Sequence, residues 1–422
     1  MCEVLPSRTS ADRDPLLKNP RTARNLIMYF VAFLTGDGAA QVQTVAVGWT
    51  VYGIHHRAFD LGLVGLVMFA PALLLVFVAG QVVDRYDRKL IVIAAALVEA
   101  VTSLVLAGLA LAHVRDLGIM LAVIFALGVG RAFGSPAEST ILVNLVEIGD
   151  YMRVQARYSS LREIVVVAGP ALGGALVAVS DVAAFAVAAI MTFVSVAAFG
   201  LVHVRATERG LGAELGAGSA LDGLRFIASR PIVLGAISLD LFAVLFGGAS
   251  ALLPIYADQI LHVGAFGFGL LRSASGLGAS VMAILLSQRT PNRRVGRTLL
   301  FNVAAFGLAM IVFAFSRNLW LSIVALAAAG AFDMVSVVIR RGLVQLNTPD
   351  AMRGRVNAVE SVFIGASGQL GSFESGTVAQ FLGPIASVAL GSAATLGVVV
   401  LWARAFPALR RSDRLEGETG RS

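Results

Sequence analysis

Six charged side chains interrupt long apolar stretches of this 422-residue sequence: Asp37, Glu99, Arg131, Asp240, Arg272 and Asp333. A charge at the centre of a lipid bilayer costs about 2.5–3.5 kcal/mol on insertion scales, so each of these residues needs a reason to be there. A partly desolvated carboxyl group can exchange protons, and a nearby opposite charge removes much of the cost of burial. The residue types therefore suggest proton exchange and ligand binding inside a membrane.

Asp37 is the first candidate for this chemistry. It lies near the middle of an apolar run, in Thr35-Gly36-Asp37-Gly38, with Gln41 and Gln43 close behind. The flanking glycines leave room for a ligand or for a neighbouring helix. The alternative interpretation is a buried aspartate whose partner lies on an adjacent helix.

Glu99 lies in the third apolar run and Arg131 in the fourth, and Asp240 and Arg272 are candidates for an ion pair later in the chain. Asp333 is a weaker candidate for a pore or partner residue. Glu138, Glu163 and Glu374 also lie in or near apolar runs. We interpret Glu138 and Glu163 as topological or capping residues near helix ends, and Glu374 as a further weak candidate.

The composition places these residues in a membrane protein. Hydrophobic residues make up 57% of the chain and charged residues 14%, with a mean hydropathy of +0.83. Soluble domains contain about 25% charged residues. The single cysteine, Cys2, excludes a disulfide framework and a cysteine-based metal site. No phosphate loop, metal-ligand spacing or nucleophile–base motif is present, so no cofactor, metal or enzymatic activity is expected.

Apolar runs of about 20 residues predict membrane spans. Twelve such runs are present, at 26–52, 61–83, 90–112, 118–138, 158–179, 182–203, 232–257, 266–288, 297–315, 319–339, 357–380 and 383–405. The first stretch is too long for a cleaved signal peptide and is expected to span.

The basic residues predict the orientation of these spans. The connections on one side, including the N-terminus, the central linker, the 289–297 and 340–355 loops and the tail, carry nearly all Lys and Arg, whereas the opposite loops hold only Arg57, Arg115 and Arg317. The positive-inside rule makes the basic side cytoplasmic and puts both termini there. The net charge of +7 therefore reflects membrane orientation, and nucleic-acid binding is not expected.

Two six-helix halves are predicted from a polar interruption and an internal repeat. The predicted units are 1–25 (cytoplasmic segment), 26–203 (first bundle), 204–230 (linker), 231–405 (second bundle) and 406–422 (tail). The motif at 58–63, Ala-Phe-Asp-Leu-Gly-Leu, recurs at 265–270 as Ala-Phe-Gly-Phe-Gly-Leu, and Asp-Tyr-Met-Arg at 150–153 recurs as Asp-Ala-Met-Arg at 350–353. Two parallel repeats with a substrate path between them are a known transporter plan.

A short charged loop lies between the second and third spans, in Gly-Gln-Val-Val-Asp-Arg-Tyr-Asp-Arg-Lys. Its key residues are Gly80, Asp84, Arg85, Arg88 and Lys89. Glycine at its head predicts a close approach of two helix ends. The run resembles the loop signature of the major facilitator superfamily, and the resemblance implies a latch that holds the inner ends of the two halves together in the outward-facing state. The alternative is a charged turn that only sets topology.

A second motif lies in the fifth span, Ala-Gly-Pro-Ala-Leu-Gly-Gly. Its residues Gly169, Pro170, Gly173 and Gly174 permit a bend and close helix packing. The motif resembles the one that marks the antiporter branch of the same superfamily, although Val165-Val-Val167 replaces its upstream glycines. In many proton-coupled antiporters of the superfamily an arginine in the fourth span, where Arg131 lies, is near the proton site.

The segments 45–52 (Val-Ala-Val-Gly-Trp-Thr-Val-Tyr), 225–231 and 348–357 extend the resemblance along the whole chain. They are similar to the branch that contains the enterobactin exporter and related bacterial multidrug efflux proteins. The resemblance implies a twelve-helix, all-α secondary transporter in the bacterial inner membrane, monomeric, which exchanges protons for a small amphipathic molecule. A dedicated siderophore exporter is the second hypothesis and an importer the third; a membrane-embedded enzyme or a receptor would need features that the sequence lacks.

Overall fold

The computed structural model describes residues 20–145, 148–203, 217–288 and 293–413, and within these ranges the chain is helical without a β-strand. The first half contains α1 (Pro20–His55), α2 (Ala58–Arg85), α3 (Arg88–Leu111), α4 (Leu117–Leu145), α5 (Ile148–Val179) and α6 (Asp181–Leu201). A connecting helix, α7 (Ala217–Ser229), follows. The second half contains α8 (Pro231–Gly247), α9 (Leu253–Ile255), α10 (Gly264–Gln288), α11 (Val295–Phe315), α12 (Leu319–Leu346), α13 (Asp350–Leu382), α14 (Pro384–Ala405) and α15 (Pro407–Arg411).

Nine helical segments in the described part of the chain are long and apolar enough to cross a membrane. They correspond to α3 to α6, the stretch from Pro231 to Ile260, α10 to α12, and α14. The other three predicted spans coincide with α1, α2 and α13, of which α1 and α13 bury polar side chains such as Gln43 and Glu360. The chain is therefore an all-helical, multi-pass membrane protein, and the count of twelve spans stays a prediction.

Several helices extend beyond the predicted spans. α4 continues to Leu145, and α12 continues to Leu346. The prediction that Arg340 belongs to a loop is therefore wrong, because this residue lies inside α12 with 3% of its surface exposed. A prediction from the length of an apolar run ends the span at the first charged residue, whereas arginine, leucine and glutamine all favour continuation of a helix.

The seventh predicted span is interrupted rather than continuous. α8 ends at Gly247, and a 3₁₀ turn (Ala249–Leu252), α9 and a π turn (Tyr256–Ile260) follow. Adjacent glycines loosen the helix at this point, and Pro254 has no N–H to donate. The hydroxyl of Ser375 donates to the carbonyl of Gly248 at 3.1 Å, which satisfies one acceptor that the break releases.

The two halves are joined at one end of the bundle, which we call the outer end: the end where α1 stops and α2 starts. A single hydrophobic cluster there contains Tyr52 and Leu61 of the first half together with Leu252 and Phe268 of the second. The basic residues predict that this end is extracellular. The opposite end is called the inner end.

Glycines bring helices of the two halves into close contact. A methyl group on Gly62 would lie 3.2 Å from the backbone of Phe373, and one on Gly365 would lie 3.4 Å from the ring of Phe69, so α2 and α13 touch from the outer end to about mid-depth. Further toward the inner end, α2 exposes Leu73 and Leu74. The structure is closed at the outer end.

Parts of the predicted linker and tail are ordered helices. α7 packs on α13, where a methyl group on Gly223 would lie 2.9 Å from the carbonyl oxygen of Arg355. In α15, Leu409 is fully buried and packs against Gly296 at the start of α11. Residues 1–19, 204–216 and 414–422 lie outside the described residues, and the predicted domain boundaries stay predictions.

Candidate functional site

A cavity of about 350 Å³ lies within the first half, between α1, α3, α4 and α6. Its charged lining residues are Asp37, Glu99, Arg131 and Glu138. Three of them were singled out from the sequence, and the structure brings those three together. The fourth, Glu138, was interpreted as a residue at a helix end. Because α4 continues for two further turns beyond it, Glu138 lies inside the bundle instead.

Arg131 is held in this cavity by groups on three helices. Its Nε lies 3.7 Å from Oε1 of Glu99, and its Nη2 donates to Oε1 of Gln43 at 3.1 Å. The amide nitrogen of Gln43 in turn donates to Ser103 Oγ at 2.8 Å. The guanidinium is therefore oriented by a polar network, and its remaining terminal nitrogen, Nη1, contacts the sulfur of Met68 on α2 at 3.5 Å.

Asp37 lines the same cavity without a fixed partner. No hydrogen bond or ion pair to its carboxyl group is formed within the described residues, and the cations whose charges act on it are Arg131 and Arg162. Its flanking glycines are packed: a methyl group on Gly36 would lie 2.9 Å from Ser195 Oγ, and one on Gly38 would lie 2.8 Å from the terminal methyl of Met191. These contacts hold α1 against α6 and leave the carboxyl free to face the cavity.

The second half contains a different arrangement, a buried ion triad. Nη1 of Arg340 lies 3.0 Å from Asp240 Oδ2 and 3.0 Å from Glu360 Oε1, and the three side chains are 4%, 10% and 11% exposed. Asp333 lies near enough for its charge to interact with those of Asp240 and Arg340. The Nε of Arg340 is buried and has no hydrogen-bond partner among the residues that the structure describes.

Asp240 therefore pairs with Arg340, and the predicted pair of Asp240 with Arg272 is not formed. Arg272 instead lines a second cavity, of about 140 Å³, between the two halves. We call this second cavity the central cavity. Met68 also lines it, and the side chain of Met68 separates the central cavity from Arg131 of the first half. The described residues contain no group of three or more His, Cys, Asp or Glu arranged to hold a metal ion.

The loop between α2 and α3 makes its described contacts within the first half. Asp87 Oδ1 accepts from the backbone N–H of Lys89 at 2.8 Å and caps α3. The Nζ of Lys89 donates to the carbonyls of Gly200 and Val202, both at 2.8 Å, at the end of α6. The side chain of Asp84 lies outside the described residues. Lys89 therefore ties this loop to α6.

Two basic residues at the ends of this loop, Arg85 and Arg88, are accessible to solvent in this conformation. Arg85 is exposed and Arg88 is partly exposed. A methyl group on Gly80 would meet none of the described residues within 4 Å, so the close helix approach predicted at this glycine is not formed in this conformation.

The glycines of the fifth-span motif lie at two different interfaces. Methyl groups on Gly169 and Gly173 would lie 2.6 Å from Gln41 Cβ and 3.0 Å from Val45 Cβ, so both glycines face α1. A methyl group on Gly174 would lie 2.7 Å from the Cα of Gly269, which belongs to the second half. Pro170 lies inside α5. The motif packs α5 against α1 on one side and against the second half on the other.

Comparisons with known proteins identify the family. The profile of a major facilitator family described as transmembrane secretion effector matches residues 20–419. The chain belongs to this family. The protein is thus an efflux transporter of the major facilitator superfamily and not an enzyme, as the sequence predicted.

Individual relatives agree with this assignment. The chain is 27% identical over 371 residues to the enterobactin exporter EntS of Citrobacter koseri, with 85% of each chain covered. It is 26% identical over 416 residues to the multidrug efflux pump Tap of Mycolicibacterium fortuitum, with 94% of this chain and 99% of the pump covered.

Solved structures show the same fold. A bacterial homologue of the iron transporter ferroportin in an inward-facing state superimposes with a TM-score of 0.67 at 16% identity, over 92% of this chain and 99% of that chain. The nucleoside transporter NupG superimposes with a TM-score of 0.65 at 16% identity, over 93% of this chain and the whole of that chain.

The interior charges Glu138 and Arg340, which were not predicted, have a signal in the internal repeat of the chain. Arg131 and Glu138 are seven positions apart on α4, and Asp333 and Arg340 are seven positions apart on α12. The two pairs lie 202 residues apart in the chain, which is close to the spacing between the copies of the repeated motifs. The signs of the charges are reversed from the first pair to the second. Aligning the two halves would therefore have identified Glu138 and Arg340 as interior charges.

Proposed function

We propose that this transporter exports a small amphipathic molecule in exchange for protons, by alternating access between two conformations. The observation that carries the proposal is the cavity of the first half, where Asp37, Glu99 and Glu138 surround Arg131. Among the residues that line this cavity, three carboxylates and one guanidinium leave two excess negative charges when all are ionised, and the nearby Arg162 offsets part of this excess. Proton binding relieves this excess, which gives the cavity a chemical reason to load and unload protons.

The proton site and the substrate path are next to each other. Met68 contacts Arg131 on one side and lines the central cavity on the other. In our proposal, protonation of Asp37 or a neighbouring carboxyl group changes how strongly Arg131 is held, and Arg131 passes this change to the wall of the central cavity. Proton and substrate each shift the equilibrium by their difference in affinity for the two states.

The closed outer end supports the assignment of this structure to the inward-facing half of the cycle. The hydroxyl of Tyr52 donates to Asp258 Oδ2 across the two halves at 3.0 Å. The inner latch would act in the opposite, outward-facing state: Asp84, with Arg85, Arg88 and the loop headed by Gly80, would hold the inner ends together. Replacing Asp84 by Asn should impair transport without loss of membrane insertion; unimpaired efflux by this variant would exclude the latch.

We further propose that the protein is a monomer in the bacterial inner membrane, with both termini in the cytoplasm and no nucleic-acid partner. In the second half, Asp333 and Asp240 are proposed to assist proton exchange near Arg340, and Arg272 to contact the substrate. A dedicated siderophore exporter is the second candidate, favoured by the 27% identity to a protein named as an enterobactin exporter.

Transport in proteoliposomes under an imposed pH gradient tests the proposal. Substrate movement and internal pH are followed together for wild type, Asp37→Asn and Glu138→Gln. Asp350→Asn is the matched control, because that carboxylate is 87% exposed at the inner end and lines neither cavity. Gradient-driven movement that is lost in the first two variants and kept in the control supports proton antiport. Movement independent of the gradient in all four proteins would refute it and indicate a uniporter.

A further inference from the structure

The central cavity is built from both halves of the transporter. Thr44, Gly48 and Met68 line it from the first half, and Ser250, Phe268 and Gln369 line it from the second. Arg272 of α10 contributes the only formal charge among the residues that line this cavity. A substrate bound here touches both halves, which is the position needed for a molecule whose release depends on their movement.

Arg272 has no anionic partner in the described part of the chain. It forms neither an ion pair nor a hydrogen bond there, although it lies deep in the protein. Asp240, the acid that the sequence suggested as its partner, is bound by Arg340. The charged group that acts on Arg272 is a second cation, Arg131. Within the described residues, Arg272 therefore places a positive charge in the central cavity without a counter-ion.

An unpaired guanidinium in a low-dielectric site is costly, and an anion removes that cost. Its planar fork of donors matches a carboxylate or a similar oxyanion. The cavity volume of about 140 Å³ is close to that of an engineered apolar cavity of about 150 Å³ that accepts benzene. The site therefore has room for one aromatic ring or one acidic head group, beside the ring of Phe268.

We infer that the exported molecule carries an anionic head group, such as a carboxylate, sulfonate or catecholate. This head group binds Arg272 in the central cavity, while an apolar body extends from the cavity between the two halves. This inference rests on the proposed efflux function and specifies its substrate class. Lipophilic cations, by contrast, would be repelled by Arg272.

Binding of two matched probes to the purified full-length protein tests the inference. 8-Anilinonaphthalene-1-sulfonate is an amphipathic anion, and N-phenyl-1-naphthylamine has the same aromatic body without the sulfonate. The readout is quenching of Trp49, which stacks on Phe268 with ring centroids 6.2 Å apart, in a background where Trp320 and Trp402 are replaced by Phe. Wild type should bind the anion more tightly than the neutral probe.

The substitution Arg272→Gln should weaken binding of the anion by about tenfold to hundredfold, the size expected for hydrogen bonds to a charged group. Binding of the neutral probe should not change, and Arg272→Lys should recover part of the loss. Arg317→Gln, on an exposed outer loop, is the matched control and should bind both probes like wild type. Equal weakening of both probes, or undiminished binding of the anion, would overturn the inference.

Two further results would also decide the matter. If Arg272→Gln does not fold, a wild-type preference for the neutral probe is sufficient to overturn the inference. Displacement of the sulfonate probe by anionic lipid in nanodiscs, but not by neutral lipid, would assign the site to a lipid head group and overturn it as well. Because binding needs no pH gradient, failure of proton coupling in the Asp37→Asn experiment leaves this result unaffected, and the two proposals can fail separately.

Discussion

Replacing Arg340 by Met should destabilise the second half of the transporter. The guanidinium is 3.0 Å from the carboxylates of Asp240 and Glu360, and all three side chains are almost fully buried. Methionine fills a similar volume but has no charge, so it leaves two buried carboxylates facing each other without the cation that pairs with both. Breaking a buried ion pair by removing one partner costs about 3–5 kcal/mol.

This free energy corresponds to a decrease in Tm of about 6–20 °C, because 1 kcal/mol shifts the Tm of a unit of about 150–250 residues by about 2–4 °C. Thermal unfolding in detergent can be followed by tryptophan fluorescence. Trp402 reports on the second half, since its indole N–H donates to Ser238 Oγ at 3.1 Å and its ring packs on Phe242.

The matched control is Arg341→Met, the next residue on α12, whose side chain is exposed. Its Tm should stay close to that of wild type, because surface substitutions change stability by about 0.5 kcal/mol or less. Adding Asp240→Asn and Glu360→Gln to Arg340→Met should restore most of the lost stability, since removing all charges together is often neutral. Equal Tm values for Arg340→Met and Arg341→Met would refute the argument that the triad is a stabilising unit.

Three further substitutions test the rest of the architecture. Glu138→Gln should reduce gradient-driven efflux as far as Asp37→Asn does, and efflux at the wild-type rate would remove Glu138 from the proton site. Tyr52→Phe deletes a hydrogen bond to a carboxylate of the second half, so it should shift the equilibrium about tenfold toward opening of the outer end; unchanged distances between spin labels at that end would contradict this. Gly174→Leu places a side chain 2.7 Å from the backbone of α10 and should abolish transport by preventing outer closure. Gly108→Leu, where an added methyl group would meet none of the described residues within 4 Å, should transport normally.

The sequence alone determined the class of protein, because the length of an apolar run and the side on which basic residues accumulate are local properties of the chain. The internal repeat and the two glycine-containing motifs can also be read directly along the chain, and they indicated the major facilitator superfamily. Asp37, Glu99 and Arg131 were also accessible to this reasoning, since a charge inside an apolar run is costly wherever the helix packs.

Which charges meet depends on how the helices pack against one another. Asp240 and Arg272 looked like partners because both interrupt apolar runs of the second half, yet the rotation of each helix about its axis turns Asp240 toward Arg340 and leaves Arg272 in the central cavity. That rotation is set by close contacts between small residues on neighbouring helices, such as Gly174 with Gly269. Such contacts join residues far apart in the chain, so the pattern along any one helix does not contain them.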